Sequence, residues 1–189
     1  VDRIGNYLAE EAVKLIKAAK PVKGVSSLAC VSEKVDLPLR VIEKEVLEAS
    51  RDEDLRKMEA AANDYDYHSN RLRYGVYQRL VDSYVDGPRD KVTVELQVFK
   101  IGPVRIVGVP GEMFMALGQK ILDAWDAGPV ILVTSANESI GYFPTREAFS
   151  DDRYAYPTDI VAIIKGRFPF ASEAGEMLAA RAVQLMKQL

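Results

Sequence analysis

Two short stretches hold the side chains best suited to chemistry. The first is VRIVGVPGEMFMALGQKI, Val104–Ile121, in which an apolar run ends at Pro110-Gly111 and delivers a carboxylate, Glu112. The second is SANESIGYFPTRE, Ser135–Glu147, a polar, aromatic, glycine-containing stretch whose Asn137, Glu138, Tyr142 and Arg146 can all reach a site. Periodicity makes Glu112 the first residue of a helix, where the helix dipole and free N–H groups hold a carboxylate ionised. An ionised, oriented carboxylate suits a hard or borderline cation. It equally suits ordinary first-turn duty with no ligand, and spacing leaves both readings standing. The loop has two sides as well. Loops of this mixture carry function more often than packing, yet Tyr142 and Phe143 can simply cap a sheet edge and Asn137 can satisfy loop backbone.

Other chemistries lack their parts. Cys30 is the single cysteine and His68 the single histidine. No intrachain disulfide can form, and compartment cannot be read from cysteine usage. A self-contained zinc site needs several His or Cys ligands, and a Ser-His-Asp triad needs a suitably placed histidine. His68 stands among Tyr65, Tyr67, Arg71, Arg73, Tyr74 and Tyr77 in a helical stretch and reads as a surface or packing residue. Tyr-Arg interleaving can stack RNA bases, but the acids around it make this a solvated, packed helix face. Met113 and Met115 read as core. A glycine-rich phosphate loop, a CxxC pair and a GxSxG elbow are absent.

The elements that must position these residues follow from period and punctuation. Ile4, Leu8, Ala12, Leu15, Ile16 and Ala19 recur at three and four, which predicts an amphipathic helix over 2–20, stopped by Pro21 and Gly24. VSSLACVSEKVDLPLR reads as a strand or strand pair ended by Pro38. Residues 41–85 read as a long helical hairpin, with one helix ending and another capped near SRDED around Ser50. DGPRD, Asp86–Asp90, is the clearest turn and the best internal boundary. Beyond it Val92, Val94, Leu96 and Val98 alternate with Thr93, Glu95 and Gln97, a half-exposed strand. Val104–Val109 reads as a central strand, 112–127 as a helix and 129–134 as another buried strand. That βαβ unit over 104–134 places two parallel strands in one sheet. Their carboxyl ends then share an edge, the place where open α/β sheets take ligands. Glu112 and the 135–147 loop both emerge there. A last helix runs from a cap near Ser172 to Leu189. The fold class is α/β, a mixed sheet with flanking helices.

Composition bounds the function. The 189 residues are 48% hydrophobic and 28% charged with net charge −3, an ordinary globular chain long enough for a sizeable core. The mildly acidic balance gives no electrostatic reason to expect nucleic acid. The apolar runs fall short of a membrane span and no signal peptide is visible. The chain opens with Val inside a helical pattern, which fits a processed or truncated start.

With these residues in place, LQVFKIGPVRIVGVPGEMFMALGQKI, SANESIGYFPTREAF and FASEAGEMLAARAVQLM resemble the C-terminal part of the neutral/alkaline ceramidase catalytic domain, in the pattern of the shorter bacterial ceramidase-like hydrolases. The resemblance is specific over about Leu96–Phe149 and follows the order of elements through nearly the whole chain. RIGNYLAEEAVKLI is similar to the helix after the nucleophile region in those proteins. The family comprises zinc-dependent amidases that cleave the N-acyl bond of ceramide to sphingosine and a fatty acid. The resemblance implies that Glu112 and Tyr142 are zinc ligands and that Asn137, Gly141, Thr145 and Arg146 shape the substrate loop. It also implies two histidine ligands, a serine, a further histidine and an arginine from a more N-terminal segment that this sequence lacks. Two positions depart from the pattern. Ser139 replaces an aromatic, and the downstream Tyr-Glu-Gly element appears as Tyr154-Ala155-Tyr156 without its acid. Both touch the substrate side of the loop.

The expectation is therefore the C-terminal portion of a single zinc-dependent, ceramidase-like catalytic domain spanning 1–189, with a possible sub-boundary at 86–90. It holds part of a Zn²⁺ site and no catalytic residue of its own, and is inactive alone. Its partners would be a ceramide-like N-acyl lipid or related amide and the missing N-terminal segment. Bound zinc lowers the pKa of water from about 15.7 to roughly 7, and its field draws a phenol of pKa near 10 toward phenolate. The alternative is a non-catalytic α/β pseudoenzyme or interaction module.

Overall fold

Alternation builds the sheet. In the computed structural model, which describes residues 2–21 and 27–189, β1 (Leu28–Pro38) pairs antiparallel with β2 (Lys91–Ile101) through eleven consecutive residues. Val94, Leu96 and Val98 are buried on one face of β2, as the period of two demands. β2 turns at Gly102 into β3 (Val104–Gly108), antiparallel to it, and β3 pairs parallel with β5 (Val130–Val133), giving the order β1-β2-β3-β5. The crossover between the two parallel strands carries α4 (Met115–Asp123). α4 and α6 (Ala174–Met186) lie on one face of this sheet, where Leu117, Ile121, Leu178, Ala182 and Leu185 join Leu37, Val98 and Val107 in one buried cluster. Removing water from such a face is the main term holding the layers together.

The opposite face is not covered by these helices. Cys30, Phe99, Ile106 and Ile131 form an in-register row across all four strands, and Phe99 and Ile131 are among the exposed large hydrophobics. This corrects the expectation for β5: it is an edge strand with Ile131 and Val133 exposed, not a strand buried on both faces. An apolar run reads the same whether its second face is covered or bare.

α1 (Asp2–Ala18) forms where its period predicted, but its apolar stripe of Ile4, Leu8, Leu15 and Ile16 faces solvent. Gly24, its expected stop, lies outside the described residues. The hairpin consists of α2 (Lys44–Glu59) and α3 (Asp64–Asp82). The expected break at Ser50 is absent, because α2 runs straight through it. The acids of SRDED are used sideways: Asp52 pairs with Arg51, Glu53 with Arg56 and Lys57, and Asp54 crosses to Arg73 of α3. The turn comes at Ala60–Asn63 instead, where the Asn63 side chain accepts the Asp66 N–H at 2.9 Å and caps α3. Leu47, Val76 and Leu80 of the hairpin bury against Phe168 and Ile163, the latter in α5 (Val161–Ile164), in a second cluster. At the C-terminal end Glu173, not Ser172, precedes α6, and no side chain caps it.

Candidate functional site at the Pro-Gly-Glu corner

Glu112 does not open a helix. It forms, with Met113, a two-residue strand β4 that pairs parallel with β6 (Tyr142–Phe143). The helix starts only at Met115, after Phe114 in extended conformation. The backbone shows why. The Glu112 N–H donates to the Gly141 carbonyl at 2.8 Å and the Phe114 N–H to the Phe143 carbonyl at 3.0 Å, and this pairing keeps the chain extended through Phe114, so the helix begins one turn later than its period predicts. The reading of Glu112 as a carboxylate at a helix N-terminus is therefore overturned.

The same ladder joins the two residues that the sequence resemblance pairs. Glu112 is the register partner of Tyr142. The corner is stitched to the loop at three more points: Ala136 N–H to Val109 O (2.8 Å), Ser135 N–H to Gly111 O (3.1 Å) and Ile140 N–H to Pro110 O (3.0 Å). Gly111 permits the approach. A Cβ built there would lie 2.4 Å from the Gly141 oxygen and 2.9 Å from the Phe143 ring. Phe143 is fully buried and packs on Phe170 at 5.0 Å between ring centres, so β6 is anchored by one aromatic while its neighbour Tyr142 is left half-buried. Ser135 and Asn137 both take positive φ, 53° and 65°, a strained backbone that carries the loop away from β5.

Electrostatics couple the pair. The Glu112 carboxylate holds the Tyr142 phenol above its ordinary range, first through a hydrogen-bond interaction with the hydroxyl, then with help from burial and charge. Tyr142 therefore keeps its proton more tightly than a free phenol. Around the pair stands an aromatic wall. Tyr156 meets Tyr142 edge-on at 6.0 Å, and Tyr154 leans on Phe114 at 5.8 Å. Tyr156 opens a single π turn, Tyr156–Ile160, leading into α5. Met115, expected in the core, is 83% exposed.

The other loop residues go elsewhere. Asn137 is exposed and donates from Nδ2 to Glu95 of β2 at 3.3 Å. Thr145 precedes the 3₁₀ turn Arg146–Ser150. The Glu147 carboxyl is held below the usual carboxylate range by its own backbone N–H and by the Thr145 hydroxyl. Arg146 is exposed, and its N–H donates to Glu176 of α6 at 2.9 Å. Gly141 alone of the four joins the pair, through the carbonyl that receives the Glu112 amide. Sequence reasoning set Tyr154 and Tyr156 aside as a departure from a pattern, and no periodicity ties them to Tyr142. Arg167, which donates to the Ile140 carbonyl, carried no signal at all. His68 is an exposed residue of α3 with its ring edge-on to Tyr67.

A closed zinc site of the ordinary kind takes four N, O or S donors. Among the described residues no group of three or more His, Cys, Asp or Glu stands together, and the corner offers one carboxylate and one phenol. These residues by themselves do not fit a complete zinc shell. A cavity of about 820 Å³ lies between α3, β2 and Arg167 and includes neither member of the pair. The pair is a surface feature.

No family model matches the chain, and no curated protein matches it. Among solved structures, neutral ceramidase from Pseudomonas aeruginosa is similar over 52% of this chain and 16% of that one, at 21% identity and a TM-score of 0.38. A likeness this slight and partial assigns neither an activity nor a cofactor.

Proposed function

We propose that this chain is part of a ceramidase-like amidohydrolase and contributes Glu112 and Tyr142 to a zinc site completed by residues outside this sequence. The observation that carries the reading is the register of β4 on β6, which sets a carboxylate and a phenol side by side at the edge where β3 and β5 end. The sequence resemblance over Leu96–Phe149 supports it independently, because the two residues it pairs as ligands are far apart in the chain. Zinc, when bound, would supply Lewis-acid polarisation of an amide carbonyl and a field favouring phenolate.

The chain's own residues have defined tasks in that reading. The backbone ladder sets the Cα positions of Glu112 and Tyr142 opposite each other, so both side chains leave from one short stretch of sheet. Glu112 contributes charge and Tyr142 a phenol oxygen. The exposed Tyr156, against Tyr142, and Tyr154, against Phe114, offer apolar surface beside this polar pair, which suits a substrate with a long acyl chain next to an amide. Asn137, Gly141, Thr145 and Arg146 form the loop that flanks it.

The test is made in the protein that contains this chain. Glu112→Ala is expected to abolish hydrolysis of an N-acyl sphingoid lipid. Unchanged turnover would sink the ligand assignment and favour a non-catalytic module. For the 189-residue chain alone, calorimetric titration with zinc is expected to show no stoichiometric nanomolar binding. Finding such binding would mean that the chain holds a full shell.

A further inference from the structure

The pair at the corner is held from behind by a cationic clasp. Lys165-Gly166-Arg167 follows α5, and Gly166 has φ +73°, a conformation that favours glycine. Its flanking cations grip consecutive loop carbonyls. Lys165 Nζ donates to Ser139 O at 2.7 Å, and Arg167 donates to Ile140 O from Nη2 at 2.6 Å and from Nε at 3.2 Å. The third Arg167 bond, from Nη1, goes to Phe168 O at 2.9 Å, and its guanidinium stacks over Phe170 at 4.1 Å. All three bonds end on carbonyls, not on a carboxylate. Burial pushes this guanidinium down to about 10. Desolvating a charge without an opposite charge is costly, so a partly buried arginine bonded only to backbone needs a reason.

The reason lies one peptide further on. Ile140 precedes Gly141, whose carbonyl receives the Glu112 amide, and Tyr142 comes next. Phe170, under the guanidinium, is also the ring on which Phe143 of β6 packs. Arg167 thus touches both the loop entering β6 and the aromatic that anchors it. A Cβ at Gly141 would stand 3.1 Å from Arg167 Nη2, which shows how closely the two are fitted. We propose that Arg167 is a positioning residue: its bidentate grip on Ile140, assisted by Lys165 on Ser139, sets the register of Glu112 on Tyr142. Calling this register a functional site rests on the reading above; the clasp itself does not depend on zinc or on hydrolysis.

Native-state hydrogen exchange on the chain tests it. In Arg167→Met, the Glu112, Phe114 and Ile140 amides are expected to exchange faster, on the order of tenfold or more for the loss of two charge-assisted bonds. The sheet amides of Val98 and Val107 keep their protection. Arg167→Lys, which keeps the charge but not the fork, falls between. Added guanidinium restores protection to Arg167→Ala. Unchanged corner protection in a folded Arg167 variant overturns the proposal, as does loss spread evenly over corner and sheet. In the unaltered protein the Arg167 Nε–H is expected to exchange slowly with solvent. Exchange as fast as that of a free arginine would also overturn it, even if every variant failed to fold. Loss of activity is not the readout, so failure of the hydrolase reading leaves this result interpretable.

Discussion

Glu112 and Tyr142, thirty positions apart in sequence, stand directly opposite each other in a parallel ladder two residues long. Such a ladder has little pairing energy of its own. It persists because Phe143 is buried on one side of it and the backbone of Ser135–Gly141 is bonded to the Pro110-Gly111 corner on the other.

Gly111 is the position where that arrangement is least forgiving. A Cβ there meets a backbone oxygen at 2.4 Å, and no flexible side chain can yield. Gly111→Ala is expected to part β4 from β6 and to cost about 1–3 kcal/mol, the usual range for overpacking. Urea unfolding measures the cost, and exchange of the Glu112 amide reports the parting. Gly5→Ala in α1, where a Cβ meets nothing within 4 Å, serves as the control and is expected to leave stability equal or higher.

The contact between the two side chains has a pH signature. A carboxylate beside a phenol disfavours the phenolate, so the Tyr142 pKa is raised above the ordinary value of about 10. Glu112→Gln removes the charge and is expected to bring that titration back down toward 10. NMR of ring-labelled tyrosine, assigned with Tyr142→Phe, follows it. A Tyr142 titration identical in both proteins would mean that the side chains do not meet.

The helical hairpin makes a third prediction, independent of the corner. Asn63 caps α3 and Ser50 caps nothing. Asn63→Ala is expected to cost about 1 kcal/mol, and Ser50→Ala to stay within about 0.5 kcal/mol, as surface changes do. Thermal unfolding of the two variants compares them directly, and an equal loss would restore the break to Ser50.

These positions show where sequence is a good guide. Strict alternation over Lys91–Phe99 identified β2 and its buried face, because one face of a sheet needs a period of two. The βαβ crossover and its parallel pair followed from strand, helix and strand in that order, since the connection leaves few other solutions. Ser50 misled because a serine among acids looks like a cap. Its neighbours spend their charges on pairs along α2 and across to Arg73, and only the partner helix reveals that. β5 misled because an apolar run cannot say whether its second face is covered.

At the corner the division is sharpest. Residue types offered Glu112 and, in the loop, Asn137, Glu138, Tyr142 and Arg146, all at the carboxyl edge of parallel strands; the resemblance to a known family paired Glu112 with Tyr142. Together types and resemblance determined which groups were available and roughly where. Only the tertiary structure decided that Glu112 is a strand residue facing Tyr142, because a two-residue ladder with the distant Tyr142–Phe143 segment keeps the chain extended through Phe114. It also decided that Tyr156 lines the pair and that Arg167 holds it. Those contacts join segments distant in sequence, and no local pattern encodes them.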